Sequence, residues 1–399
     1  MNTVGRIPIG DFPLGPEEKA ALHRVVDSGR ITMGREVRAF EEEYAAYMGT
    51  RHCVATSSGT AALMVGLRAL GVSKQFPFTI GARVLVPALS FIATANAVEL
   101  AGFRIMFGDI SPDTMCLDPA EIAKTRTEIV LPVHLMGYGA DMKRIVEECT
   151  KHQRCLVEDA CEAHGTHIDG KKAGTFGAWG AFSFYIAHTV QAGELGCIVT
   201  DSAEVAMVAR QLRAHGRACK CVVCTRSTTG CPQIMAGGPD PRFLAEYKGW
   251  NFKPMEFEAA LARVQLSHIE ENMYRRRLAR SVLCMHLHHL QGSVIEPFID
   301  QASSVPMAFP IILKKSGYRD RVVSELEHRG VEARPLFGCI PTQQPAYMGL
   351  EKAIYQNRLP VSEHYGADGF YVGCHQYLTA EQIDRMAGII RDVIAEVVT

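Results

Sequence analysis

Ala181-Phe-Ser-Phe-Tyr-Ile-Ala-His188-Thr-Val-Gln-Ala-Gly-Glu-Leu-Gly196 is an apolar run that passes into a polar turn punctuated by glycine. Such a pattern predicts a buried strand that ends in a loop, with His188 on the loop. Upstream, Val157-Glu-Asp159-Ala-Cys161-Glu-Ala-His-Gly165 makes the same transition from apolar to polar. Between and before these stretches, short apolar runs alternate with helical spacing. Val84-Leu-Val-Pro87, Arg104-Ile-Met-Phe-Gly108, Glu128-Ile-Val-Leu-Pro-Val-His134 and Cys155-Leu-Val-Glu-Asp159 read as strands, and 93–101, 119–125 and 142–152 read as helices. This β–α alternation predicts an α/β fold with a doubly wound, mostly parallel sheet, whose ligand sits outside the carboxyl ends of the strands. Phe91, Asp159 and His188 all fall at or just after strand ends, so three candidate residues share one sheet edge.

Outward from this core, helical spacing over 16–27 and 35–48 precedes Cys53-Val-Ala-Thr-Ser-Ser58-Gly59-Thr60-Ala-Ala-Leu-Met64. A Ser-Gly-Thr opening a helix offers free backbone N–H groups and hydroxyls at the positive end of the helix dipole, as a phosphate requires; it is equally an ordinary N-cap. Residues 219–250 break the rhythm with Cys, Gly, Pro and Thr, and a loop of that length is usually functional or disordered. The pattern over 254–290 is strongly helical. A strand over 305–313, a helix over 318–330, a strand over 331–334 and a helix over 379–398 predict a smaller α+β unit. The expected division is a large cofactor-binding domain at 1–270, with the cysteine-bearing loop 217–248, and a small C-terminal domain at 271–399.

Composition limits the partners. The 399 residues are 47% hydrophobic and 21% charged, and 42 Lys plus Arg nearly balance 43 Asp plus Glu. Without a charge excess, neither nucleic acid nor an anionic membrane is the expected partner. The N-terminus has no apolar signal core and no later run of about 18 apolar residues occurs, so a cytoplasmic location is expected. Thirteen cysteines in such a chain are expected to be thiols rather than a disulfide framework. Cys53, Cys116, Cys149, Cys155, Cys197, Cys284, Cys339 and Cys374 stand singly and read as small buried hydrophobes.

A pyridine-ring cofactor such as pyridoxamine or pyridoxal phosphate needs an anion cradle, a carboxylate at the ring nitrogen, a stacking face and an acid/base beside its reactive carbon. Ser58, Gly59, Thr60 and Ser183 can hold the phosphate, Asp159 can pair with the ring nitrogen, Phe91 can stack and His188 can move protons. Taken singly, Asp159 also reads as a strand-end cap, Phe91 as core and Ser183 as a satisfied strand hydroxyl.

Asp27-Ser-Gly-Arg-Ile-Thr-Met-Gly34, Ser58-Gly-Thr-Ala-Ala-Leu63, Glu158-Asp159 to His164-Gly165, Ser183-Phe-Tyr185 and Gly249-Trp-Asn251-Phe-Lys253 to Gln265-Leu266 run through nearly the whole chain in order. In this the sequence resembles the sugar-nucleotide aminotransferases and dehydratases of the aspartate-aminotransferase fold. The resemblance implies that Asn251 reaches the cofactor phosphate of a neighbouring subunit, hence a homodimer with shared sites, and puts Glu162 near the ring hydroxyl. In the family's aminotransferases the position of His188 is a lysine that forms a Schiff base with the cofactor, and imidazole cannot form that stable imine. The substitution is similar to that of the family's 3-dehydratases, which hold pyridoxamine phosphate without a covalent bond and remove the C3 hydroxyl of a nucleotide-linked 4-keto-6-deoxyhexose. Arg334-Pro-Leu-Phe-Gly338 to Gln344-Pro-Ala-Tyr347 and Phe370-Tyr-Val-Gly-Cys-His-Gln-Tyr-Leu-Thr379 resemble the same branch.

Cys161 is separated by 57 residues from Cys219-Lys-Cys221, and nine more residues lead to Cys231. This resembles the cluster motif of the iron–sulfur CDP-4-keto-6-deoxyglucose 3-dehydratases, with Cys224 as an alternative fourth ligand to Cys231. It implies a 2Fe-2S cluster held by Cys161, Cys219, Cys221 and Cys231, fed by a flavin-containing, NADH-dependent iron–sulfur reductase. Zinc in the same thiolates, or no metal, stays open. Without a cluster, the chain resembles the glutamate-coupled dehydratase of the same family, and a non-catalytic regulatory homologue is the remaining alternative.

Overall fold

The computed structural model describes residues 5–76, 78–221, 226, 229–299, 301–347, 355 and 358–398. Thirteen strands are used below: β1 His52–Thr56, β2 Arg83–Pro87, β3 Arg104–Gly108, β4 Ile129–Val130, β5 Cys155–Leu156, β6 Glu158–Asp159, β7 His167–Ile168, β8 Lys171–Lys172, β9 Gly180–Ser183, β10 Gly196–Thr200, β11 Ala308–Ile312, β12 Ala333–Pro335 and β13 Gly369–Gly373.

The central sheet forms from two hydrogen-bonded sets, β3-β2-β4-β5 and β6-β9-β10-β1. They are continuous because β5 and β6 are one run interrupted at Val157. A parallel bridge from Val133 to Asp159 carries the ladder across, with His134 N donating to Asp159 O and Asp159 N to Pro132 O, each at 3.0 Å. Strand β2 runs parallel to β3 and β4, β4 parallel to β5, and β6 parallel to β9, whereas β10 runs antiparallel to both β9 and β1. The mostly parallel, doubly wound sheet expected from the sequence is therefore present.

The alternation of side chains explains how this sheet is buried on both faces. Val84 and Val86 of β2, Val54 of β1, Ala181 of β9 and Ile198 of β10 join one apolar cluster with the helices Gly59–Val72, Ile92–Leu100 and Ala203–Leu212. Their neighbours in sequence face the other way. Leu85 packs with Ile145 and Cys149 of the helix Met142–Lys151, while Phe182, Cys197 and Val199 pack with Phe40 and Tyr44 of the helix Arg35–Met48.

A second, antiparallel sheet has the order β11-β13-β12. The C-terminal helix Ala380–Val398 covers it with a stripe of Ile383, Met386, Ala387, Ile390, Val393 and Ile394 at helical spacing.

Several elements differ from the sequence expectations. The helical stretch over 254–290 divides at His268 into Glu256–Ser267 and Ile269–Leu287. Strand β10 and the helix Ala203–Leu212, capped by Ser202 Oγ, follow His188 where no element was foreseen. The cysteine-bearing loop has its own short helix, Pro232–Met235, and is closed at its root by bridges from Arg217 to Ala245 and from Ala214 to Asn251. Cys155 and Cys284 are half-buried, while the other six single cysteines are buried.

Candidate active site

The carboxyl ends of β1, β6 and β9 converge on one cavity of about 410 Å³. Strand β1 leads into Ser58, whose Oγ accepts from Ala61 N at 3.2 Å and so caps the helix Gly59–Val72. Gly59 and Thr60 follow in the first turn, where helix N–H groups lack partners within the helix. Ser183 ends β9 beside them. A Cβ on Gly59 would lie 2.6 Å from Ser183 Cβ and 3.0 Å from Cys161 Sγ, so only glycine leaves this cradle open. Ser58, Gly59, Thr60 and Ser183 all line the cavity.

Asp159 lies at the end of β6 and is buried. Its Oδ2 accepts from Thr94 Oγ1 at 2.7 Å and its Oδ1 from Cys161 N at 3.1 Å. Burial pushes its carboxyl above the usual range, against those two bonds. Glu162, also buried, accepts from Met136 N, and burial pushes its carboxyl up to about 8. The Cys161 thiol is raised well above its ordinary value, by burial first and by Asp159 second. Phe91, the N-cap residue of the helix Ile92–Leu100, is 53% exposed at the cavity and meets Phe337 edge to face at 5.5 Å.

His188 lies in the turn after β9, where its N–H donates to Tyr185 O at 2.9 Å. Its side chain lines the cavity and is buried, and its Nδ1 has no hydrogen-bond partner. The imidazole of His164 lies 6.3 Å away, centre to centre. His164 Nε2 donates to Ser183 O at 2.6 Å, because a carbonyl only accepts. His164 Nδ1 therefore accepts from Tyr44 OH at 2.9 Å. Burial lowers His164 to about 4 and His188 well below the usual imidazole range, with His164 and Arg276 adding to the effect on His188. Both rings are neutral near pH 7.

Some cavity residues were not assigned a role from sequence. Thr94 carries no motif of its own; its place one helical turn past Phe91 is the only signal. Arg334, Phe337 and Tyr371 also line the cavity, and they lie in the two C-terminal stretches quoted above. Asn251 lies outside the cavity, exposed and bonded to Lys253 Nζ.

The cysteines divide. Cys161 lines the main cavity, whereas Cys219, Cys221 and Cys231 line a second, much smaller one with Arg226 and Arg242. Among the described residues no three His, Cys, Asp or Glu side chains are grouped so as to hold a metal. Cys224 lies outside the described residues. The loop root is nonetheless tied to the main site, since Phe252 N donates to Arg213 O and Ser57 N donates to Phe252 O, each at 2.9 Å, one residue before Ser58.

The DegT/DnrJ/EryC1/StrS aminotransferase family matches residues 13–391. The chain belongs to this family. Within it, the chain is 28% identical to the GDP-4-keto-6-deoxy-D-mannose 3-dehydratase of Yersinia pseudotuberculosis, over 96% of this chain and 98% of that protein. It is 30% identical to the dTDP-3-amino-3,4,6-trideoxy-alpha-D-glucose transaminase of Streptomyces venezuelae, over 97% of this chain and 96% of that one. Among solved structures, the Escherichia coli GDP-4-keto-6-deoxy-D-mannose-3-dehydratase with bound hydrated PLP matches with a TM-score of 0.83 at 26% identity, covering 96% of this chain and 99% of that one. The fold is thus the aminotransferase fold of this family, whose relatives include both dehydratases and transaminases. Among the described residues, no helix is long and apolar enough to cross a membrane.

Proposed function

We propose that the protein is a pyridoxamine-phosphate-dependent C3 dehydratase of a nucleotide-linked 4-keto-6-deoxyhexose. One observation carries this reading. The nitrogen base facing the cavity is the buried, neutral imidazole of His188, and among the described residues lining the cavity there is no lysine. Family relatives that are themselves 3-dehydratases support the same choice.

The residues present fit the cofactor. Ser58, Gly59, Thr60 and Ser183 form a cradle at a helix N-terminus that suits a phosphate. Asp159 is a buried carboxylate with no cationic side chain bonded to it among the described residues, which suits a protonated ring nitrogen. Phe91 offers a partly exposed ring for stacking, and Glu162, which lines the same cavity, suits the ring hydroxyl. When bound, the cofactor supplies a primary amine and an electron-withdrawing ring. His188, neutral and with Nδ1 unpartnered, takes up the proton whose removal lets the C3 hydroxyl leave. Asn251, exposed and outside the cavity of its own chain, is available to a second copy, in keeping with a homodimer that shares its sites.

The reading extends to a 2Fe-2S cluster held by Cys161, Cys219, Cys221 and Cys231, supplying single electrons from a flavin and iron–sulfur reductase. Its support is the spacing of the four thiols, the shared small cavity of three of them and the anchoring of their loop beside Ser58. A second reading, a cluster-free dehydratase that draws its amine from glutamate, is supported by likeness to a GDP-4-keto-6-deoxymannose-3-dehydratase solved with a trapped PLP-glutamate geminal diamine. Anaerobic purification with iron, sulfide and ultraviolet–visible analysis decides between them. About two irons per chain support the cluster, and a colourless, iron-free protein that still dehydrates its substrate supports the second reading. Absence of C3 oxygen exchange with pyridoxamine phosphate and any CDP-, GDP-, dTDP- or UDP-linked 4-keto-6-deoxyhexose would defeat both.

A further inference from the structure

Arg276, in the helix Ile269–Leu287, is 0% exposed, and among the described residues no carboxylate pairs with it. A guanidinium has five N–H donors in a fixed fork. Here Nε donates to Gln376 Oε1 at 2.7 Å, Nη1 to Pro306 O at 3.2 Å and Met307 O at 2.9 Å, and Nη2 to Ala187 O at 3.1 Å and His188 O at 2.9 Å. All five acceptors are neutral. Burying a cation without an anion is costly, and an apolar side chain would fill such a place more cheaply unless the bonds themselves are required.

Those bonds join two parts of the cavity wall. Ala187, His188 and Met307 all line the cavity, and they come from segments far apart in the chain. The tether continues through Gln376, whose Nε2 donates to Gln191 Oε1 at 3.2 Å. Gln191 Nε2 in turn donates to Ile186 O and to Asp11 O. Both ends of the turn that carries His188 are thereby held.

We infer that Arg276 is a positioning residue of the site, fixing the Ala187–His188 peptide against Met307 and so setting the imidazole in the cavity. The inference rests on the proposed role of His188 but is tested apart from it. In cofactor-free protein labelled at histidine, the ring Cε1–H resonance of His188, assigned by its loss in His188→Ala, is expected to be a single line. In Arg276→Lys and Arg276→Gln it is expected to broaden or split. With cofactor and substrate, kcat is expected to fall about 100-fold, the scale of a misplaced reacting group, while KM stays within about twofold. Arg276→Lys keeps the charge without the fork, so a Lys variant equal to wild type in both readouts would overturn the tether. If neither variant folds, Gln376→Leu removes one acceptor only and is expected to show the same resonance change with a smaller loss of kcat; an unchanged line would overturn the inference. A line that moves while kcat does not would sink the role of His188 and leave the tether standing.

Discussion

Thr94 Oγ1 donates to Asp159 Oδ2 at 2.7 Å, tying the helix behind Phe91 to the carboxylate at the end of β6. With Cys161 N on Oδ1, both oxygens are oriented before any ligand arrives. Burial raises the carboxyl of Asp159, so a cation brought beside it is what favours its charged form. Asp159→Asn is expected to weaken pyridoxamine phosphate binding by about 1.5–3 kcal/mol, the scale of a hydrogen bond to a charged group. Thr94→Val is expected to act in the same direction but less. Fluorescence titration of the cofactor checks both, and equal affinity in Asp159→Asn and wild type would remove Asp159 from the site.

The cradle makes a steric prediction. Gly59→Ala places a methyl group 2.6 Å from Ser183 Cβ, and overpacking of this kind costs about 1–3 kcal/mol. The expected result is a folded protein with a roughly 10- to 100-fold weaker cofactor Kd. Far-ultraviolet circular dichroism and equilibrium dialysis separate a blocked cradle from a lost fold.

His188→Ala is expected to retain the cofactor and lose at least about 100-fold in turnover, as removal of a general base does. With pyridoxal phosphate in place of the amine form, His188→Lys is expected to condense with the cofactor aldehyde, losing water, to an imine that borohydride reduces to a stable secondary amine seen by mass spectrometry. Undiminished turnover in the alanine variant would take the histidine out of the chemistry.

Glu162 carries a pH signature. Its carboxyl is pushed from 4.5 up to about 8, so between these values the folded state holds a proton that the unfolded state releases. The stability it contributes is fully present below about pH 4.5 and is lost as pH rises through about 8, at about 1.4 kcal/mol per pH unit. Urea unfolding of cofactor-free protein from pH 5 to 8 is expected to show a slope steeper by about this amount in wild type than in Glu162→Gln, where the raised carboxyl of Asp159 leaves a remainder. Parallel slopes in the two proteins would place the titration elsewhere.

Period and punctuation carried much of the architecture. The apolar runs at β2 and β3 and the stripe of the C-terminal helix are local patterns, because a buried parallel strand and a one-sided helix each write their burial into consecutive residues. Strand β10 carries the same kind of local run in Cys197-Ile-Val199, and only its antiparallel placement between β1 and β9 depends on those partners. The break at His268 was missed because helical spacing runs straight through it.

The site divides along the same line. Ser58-Gly59-Thr60, Asp159 and His188 could be picked out from residue type and position, because each lies where a strand gives way to a turn or helix. Nothing in the one-dimensional order joins Thr94 to Asp159, or Arg276 to the carbonyls of Ala187, His188, Pro306 and Met307. Those relationships arise when segments separated by 30 to 89 residues pack together. Packing also sets the electrostatics: the same imidazole that would titrate near neutrality in water is held neutral at His188, because burial removes the solvent that would stabilise its charge. Residue types and their order thus name the chemistry available to this chain, and long-range packing decides which groups meet and in what protonation state.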